Sequence, residues 1–360
     1  MVISKVEDMK ITLWRSDVTL LRPTRAAGQD HGDRTRLFLG VEHESVRGFG
    51  EVAPQPFALN GDPSVDEVLT EVREVVVPLV LEVANREGQL PSWTRLARFA
   101  GSRPASPFAV ALVEMALLDR ELRASHLEPT SLWARNFETP SQATVSLLDL
   151  DGAWNIGREI AQVRVKTTPG TLSHAALDRL GELGLPVLLD FNCSASDDVQ
   201  VLDQVEQILP VATIAAVEQP YAVGNIIDHA TLAEQLAVPL SLDEGVRSAR
   251  DLVQIARYSA ASLVCIKPAR VGGLANARSM VEKAIALGLR PYLGGFFESP
   301  YARHVHRLLA ENCVGEPSDL GVVAVVGGLD DPETVSVAGG FHLAPSTRLL
   351  DRALVLATWP

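Results

Sequence analysis

Cysteine is scarce in this 360-residue chain: Cys193, Cys265 and Cys313 are an odd number and show no C-x-x-C spacing. That supports neither a disulfide framework nor a zinc site, and buried, unreactive thiols are expected. Basic residues are also few, 32 against 45 acidic for a net charge of −13, and they form no cluster. Phosphate-backbone partners draw on clustered Lys and Arg, so a nucleic-acid partner is not expected. No apolar run reaches the roughly eighteen uncharged residues needed to span a bilayer. Met1–Lys10 lacks the apolar core of a signal peptide, so a cytoplasmic protein with no membrane partner is expected. A Gly-rich phosphate loop between a strand and a helix is missing too, because the Gly-x-Gly run at Gly48–Gly50 falls among N-terminal strands.

What is present is the composition of an ordinary globular protein, 47% hydrophobic and 21% charged, at a length that exceeds one compact domain. The first part alternates as strands over Lys10–Trp14, Thr35–Glu42 and Phe49–Val52, followed by helices over Pro63–Glu82 and Pro107–Ala124. After Thr144, short apolar strands alternate with amphipathic helices: Val145–Leu148, Val163–Val165, Val187–Asp190, Ile214–Glu218, Pro239–Asp243, Leu263–Lys267 and Pro291–Gly294. Seven or eight such units predict an α/β fold of the (β/α)7-8 TIM-barrel type, with an open doubly wound sheet as the alternative. The expected division is an α+β capping domain over 1–132, the barrel over 133–328, and a tail over 329–360 that returns to the cap. Two cap segments rich in turn residues, Thr24–Arg34 and Pro54–Asp62, are expected to be mobile loops that read the substrate's side groups.

In a (β/α) barrel the chemistry sits at the C-terminal ends of the strands. Those ends carry Lys166, Asp190, Glu218, Asp243 and Lys267, at intervals of about 24 to 28 residues, one βα unit each. Three carboxylates converging at one mouth repel one another unless a cation sits between them, and an all-oxygen ligand set points to Mg²⁺, with Mn²⁺ as the alternative. The structural alternative is that these acids are caps or ion pairs. A lysine beside a metal and a second ammonium is expected to have a depressed pKa and to be available as a base. Lys166 and Lys267, nearly opposite across an eight-stranded barrel, could address two faces of one carbon α to a carboxylate.

The residues around these positions resemble a known family. Val163-Arg164-Val165-Lys166, followed by Pro169-Gly170, is similar to the Lys-x-Lys segment of the muconate-lactonizing-enzyme subgroup of the enolase superfamily. Asp190-Phe-Asn192, Glu218-Gln219-Pro220 and Asp243-Glu244 resemble its Asp-x-Asn, Glu-Gln-Pro and Asp-Glu. Lys267-Pro268-Ala-Arg270-Val-Gly-Gly273, Gly294-Gly295-Phe-Phe-Glu298-Ser299 and the hairpin Gly48-Phe-Gly-Glu51-Val-Ala-Pro54 resemble segments of o-succinylbenzoate synthases and N-acylamino acid racemases. The resemblance implies that Asp190, Glu218 and Asp243 ligate the metal and that Lys166 and Lys267 are catalytic. It also implies that Arg164, Asn192, Glu244, Gly294, Glu298 and Ser299 bind substrate or support these groups.

Two departures stand out. Arg164 replaces the first Lys of Lys-x-Lys, putting a planar fork where the family has a point charge, and the C-terminal Pro-Gly-Leu-Gly-like segment is missing. The implied function is proton abstraction from a small carboxylate through an enediolate. The first reading is o-succinylbenzoate synthase, a dehydrating lyase of menaquinone biosynthesis, and the second is N-acylamino acid racemase. Muconate cycloisomerisation and a non-catalytic barrel, with or without assembly as a homo-oligomer, complete the alternatives. His304 and His306 fall on the helix after the seventh strand and are expected to have packing or surface roles.

Overall fold

The computed structural model describes residues 8–26, 29–100, 105–129, 133, 141–146, 160–321, 326, 335–336 and 339–360. The chain opens with three antiparallel strands, β1 (Lys10–Ala26), β2 (Gln29–His43) and β3 (Val46–Val52). Helices α1 (Val65–Glu71) and α2 (Val77–Glu87) follow, joined by a π-helical turn at Val72–Val76, and then α3 (Trp93–Ala100) and α4 (Pro107–Ala124). Ser64 starts α1 with a capping box closed by Glu67. Where turn residues suggested a loop over Thr24–Arg34, β1 and β2 instead continue as strands, pairing Thr24 with His31.

Strand and helix then alternate: β4 (Ser141–Ser146), β5 (Ile160–Lys166), α5 (His174–Leu183), β6 (Val187–Asp190), α6 (Asp198–Ile208), β7 (Ile214–Glu218), α7 (Ile226–Gln235), β8 (Leu240–Leu242), α8 (Ala249–Tyr258) and β9 (Leu263–Ile266). After these come α9 (Pro268–Val271), α10 (Leu274–Ala286), β10 (Arg290–Leu293) and α11 (Pro300–Cys313). Strands β4 to β10 form one parallel sheet in chain order. Gly294 at the end of β10 makes a further parallel bridge to Asp319. Strands such as Val187–Asp190 and Leu263–Ile266 are buried at every residue, as expected when helices cover one face and a barrel interior the other. The fold is a TIM-type barrel with a separate antiparallel cap.

The last elements are β11 (Val335–Ser336), β12 (Leu343–Ala344), α12 (Thr347–Arg352) and β13 (Leu354–Trp359). β13 pairs antiparallel with β1, completing a cap sheet of order β13-β1-β2-β3. The expected domain joints at 132/133 and 328/329 involve residues outside those described, apart from Trp133. β3 lies against α4 at a separation only glycine permits. A Cβ on Gly48 would stand 2.1 Å from the Arg120 nitrogen, and one on Gly50 2.1 Å from the Leu112 carbonyl oxygen.

The cap rests on the C-terminal side of the barrel. Arg36 on β2 donates to the carbonyls of Phe297 and Glu298, which follow β10. Glu51 on β3 accepts from the Ser299 N–H at 2.6 Å and from its hydroxyl. Glu114 on α4 accepts from Leu274 N–H at 3.1 Å and Ala275 N–H at 2.9 Å, so a cap carboxylate closes the N-terminus of α10. Burial pushes both Glu51 and Glu114 up to about 7, against the pull of those donors and, for Glu51, of Arg36.

A carboxyl whose folded pKa is raised contributes stability that is complete below its unfolded pKa and is lost as pH rises through the folded value. For Glu114 the window runs from about 4.5 to about 7, a difference on the order of 3 kcal/mol. Thermal unfolding of the wild-type protein should therefore shift downward between pH 5 and pH 8. Glu114→Gln, neutral throughout, should flatten that shift. Parallel pH profiles of the two proteins would rule the assignment out.

Candidate active site

Alternation of side chains along a strand places residues two apart on the same face. Lys166, Asp190 and Glu218 stand in lateral register at the ends of β5, β6 and β7, while Asp243 and Lys267 follow β8 and β9 immediately. Two residues below them lie Arg164, Leu188, Ala216, Ser241 and Cys265, and two below Gly294 lies Tyr292; of these, Leu188, Ala216, Cys265 and Tyr292 belong to a small buried cluster of their own. The strand-end residues thus make an upper layer at the mouth, and the lower layer is its floor.

Each carboxylate of the upper layer meets a cation. The Lys166 ammonium donates to Asp190, and the Lys267 ammonium donates to Asp243 at 2.7 Å. Arg270 adds a second donor to Asp243. Arg164, fully buried, lies 2.8 Å from Glu218, 3.2 Å from Asp319 and 3.7 Å from Asp190. Tyr292 donates its hydroxyl to the same Glu218 oxygen that Arg164 holds, Oε2, and exchanges a 2.9 Å hydrogen bond with Ser241. Asn192 donates to Asp190 at 3.3 Å and to Glu244 at 3.2 Å. Gln219 receives the backbone N–H groups of Asp243 and Gly245, both at 3.0 Å, which fixes the turn after β8.

Gly294 leaves room for the lysine across from it: a Cβ there would stand 2.7 Å from Cys265 Sγ and 3.1 Å from Lys267 Cε. Glu298 and Ser299 turn elsewhere. Glu298 accepts from the Phe296 N–H and pairs with Arg303 at 3.2 Å, and Ser299 caps α11 while bonded to Glu51. His306 is buried on α11 and burial drives it down to about 4.

Burial raises Glu218 well above the usual carboxylate range, and Asp190 and Asp243 add to the rise against the pull of Arg164. Burial likewise raises Glu244, with Asp243 and Asp190 as the neighbouring charges. It also opposes ionisation of Asp243, but Lys267 and Arg270 carry that group well below its ordinary value. Lys267 is raised above its ordinary value, not depressed: burial opposes its charge most strongly, but Asp243, Cys265 and Glu244 together outweigh burial and Arg270.

Among the described residues no three acidic, histidine or cysteine side chains form a ready-made ion-binding group; Asp190 is paired with Lys166, Asp243 with Lys267, and Glu218 with Arg164, which also reaches Asp190. The donor chemistry nonetheless fits a hard divalent ion. Asp190, Glu218, Asp243, Glu244 and Asp319 outnumber Arg164, Lys166, Lys267 and Arg270, and Arg270 is shared with Asp62. The buried atoms without a hydrogen-bond partner there include the acceptor oxygens Glu218 Oε1, Glu244 Oε2 and Asn192 Oδ1. Oxygen donors with excess negative charge suit Mg²⁺ or Mn²⁺.

Several residues were missed by the strand-end rule. Arg270 grips Asp62 with two bonds of 2.9 and 2.7 Å, and Arg247 donates to Asn60, Gly61 and Asp62 of the same cap segment. Arg270 belongs to a recognisable motif but sits on a short helix after the strand, and Asp62 has no local signal at all. Tyr292 could have been found by counting two back from Gly294.

Comparison with known proteins adds the lineage. Residues 162–346 match the family described as Enolase C-terminal domain-like. An N-succinylamino acid racemase of Amycolatopsis is 26% identical over 97% of this chain and 98% of that protein. An o-succinylbenzoate synthase of Bacillus subtilis is 25% identical over 85% of this chain and 82% of its own length. The crystal structure of an N-succinyl Arg/Lys racemase from Bacillus cereus superimposes with a TM-score of 0.77 at 16% identity, covering 98% of this chain and 99% of that one.

The Asp62 bridge is open to test. Breaking a buried ion pair by removing one partner costs about 3 kcal/mol, so Asp62→Ala should lower the urea midpoint and speed proteolysis within residues 54–62. Unchanged values in both assays would show that the bridge does not hold the segment.

Proposed function

This chain belongs to the Enolase C-terminal domain-like family, and on that premise we propose that it removes a proton α to a carboxylate of a small substrate, with a divalent metal as cofactor. The observation that carries the reading is the pair of lysines at the ends of β5 and β9, with Asp190, Glu218 and Asp243 on the strands between them. Asp190, Glu218 and Asp243 would hold Mg²⁺, or Mn²⁺ in its place. A bound ion of this kind supplies Lewis-acid stabilisation of charge developing on the substrate carboxylate.

The chain's own groups do the rest. Lys166 takes the α-proton on one face. Lys267 faces the carbon from the other side, either returning a proton or opposing the negative charge of the enediolate. Arg36, Glu51 and the Asp62 bridge hold the cap against the mouth and exclude water, which strengthens every charge interaction inside. Glu244 and Asn192 orient the Asp190 carboxylate through the hydrogen bonds they share.

Within this chemistry the first reading is dehydration to o-succinylbenzoate, a lyase reaction. Racemisation of N-succinylamino acids is the second, favoured by the relative that matches nearly the whole chain. The two use Lys267 differently. For racemisation it must deliver a proton to the opposite face, whereas for elimination its charge suffices.

Lys166→Ala should abolish either reaction, a loss at or above the ~10²–10⁴-fold typical of a general base. Lys267→Arg should keep part of a synthase activity and lose racemisation almost wholly. In D₂O with Mg²⁺, a racemase washes deuterium into the α-carbon of N-succinylamino acids from either enantiomer. Protein that neither exchanges that proton nor dehydrates the synthase precursor would overturn both readings.

A further inference from the structure

Arg164 occupies the place where the family resemblance leads one to expect a group for the substrate carboxylate. Its surroundings leave it no such freedom. It lies in the lower layer, two residues beneath Lys166, and it is 1% exposed. Its guanidinium is spread over Glu218, Asp319 and Asp190, and its carbon lies 5.9 Å from the centre of the Tyr292 ring. The planar fork has been used to join carboxylates of the protein to one another, a task that the single point charge of a lysine performs poorly.

The two oxygens of Glu218 are treated unequally. Oε2 accepts from Arg164 at 2.8 Å and also from the Tyr292 hydroxyl, which Ser241 holds in place through a 2.9 Å contact. Oε1 is buried and has no hydrogen-bond partner among the described residues. A carboxylate with one oxygen fixed from below by two donors offers a metal only the other.

We propose that Arg164 and Tyr292 are positioning residues that hold Glu218 as a one-oxygen ligand, and thereby make the site select a small octahedral ion over a larger one. The inference rests on the metal-dependent reading above. Mg²⁺ demands near-ideal octahedral geometry with few protein oxygens, whereas Ca²⁺ accepts six to eight ligands and readily takes a carboxylate through both oxygens. Pinning Oε2 therefore disfavours Ca²⁺ more than Mg²⁺. Arg164 accordingly acts on Glu218 and makes no contact with substrate.

The test uses the full-length protein stripped of metal and titrated by calorimetry with Mg²⁺ and with Ca²⁺ separately. Tyr292→Phe keeps the ring and removes only the hydroxyl, and Arg164→Lys keeps the charge and removes the fork. Outer ligand partners of this kind are typically worth 10–100-fold in metal affinity. Both variants should bind Mg²⁺ about 10-fold or more weakly. In Tyr292→Phe, with one of the two donors to Oε2 removed, the preference for Mg²⁺ over Ca²⁺ should also narrow by up to about 10-fold, a change that a general loosening of the fold does not produce. At saturating Mg²⁺ the substrate KM of Arg164→Lys should stay within about twofold of wild type.

Wild-type affinity and ion preference in Tyr292→Phe overturn the inference while leaving the metal-dependent reading intact. So does an Arg164→Lys protein that binds Mg²⁺ normally but shows a raised KM, because the guanidinium would then be a substrate contact. A wild-type protein that binds neither ion overturns the underlying reading and the inference with it.

Discussion

Placing several carboxylates within a few ångströms of one another, away from water, is the constraint to which the rest of this molecule answers. A lone buried carboxylate would simply take up a proton, and two or more would force one another to do so. The barrel mouth meets the difficulty with Arg164, Lys166, Lys267 and Arg270, each in direct contact with at least one acid. Gly294 keeps the space that the Lys267 stem fills, and Asp62 supplies Arg270 with the partner that the mouth alone does not. Cap and barrel are thus coupled through charge as well as through apolar contact. The segment that lies over the site is attached by the same guanidinium that steadies Asp243.

The parallel strands turn this requirement into a regular arrangement. One face of each strand is committed to the helices through residues such as Val165, Leu189, Val217 and Ile266. The other face delivers a side chain to the mouth and, two residues earlier, one to the floor. Because the strands are short and buried at almost every position, neither set can slip without moving apolar residues into the interior or charges into the helix layer. The upper layer carries the charged groups of the mouth. The lower layer, with Arg164, Ser241 and Tyr292, holds them in place.

The upper layer was legible in the sequence because its residues share two local signs, a charged side chain and a position at the end of an apolar run. Lys166, Asp190, Glu218, Asp243 and Lys267 all show both. The strand–helix alternation of the barrel and the helix over Pro107–Ala124 were legible for a related reason, since burial writes its period directly into the chain. Less could be read where the structure depends on distant partners. Asp62 and Arg270, 208 positions apart, meet only because the cap folds over the barrel. Glu298 and Ser299 belong to a motif that points toward the site, yet their side chains are taken up by Arg303 and Glu51. At Thr24–Arg34, turn-forming residues were overruled by pairing with a long neighbouring strand, as often happens when tertiary contacts outweigh local preference. Arg164 was visible as an oddity, but its contacts with Tyr292 and Asp319 come from residues 128 and 155 positions away.

The pairing of β13 with β1 has a bearing on how the molecule comes into being. The first strand of the cap waits for a strand that follows the whole barrel in sequence, with Ile11 opposite Trp359. At ribosomal rates of about 5–20 residues per second, everything between them is made while β1 still presents an unpaired edge. An exposed edge is a template for joining another chain. β13, made after every strand of the barrel, therefore acts as the closing seam of the cap sheet: until it emerges, a nascent chain can contain the barrel strands and still expose a strand that other nascent chains can extend.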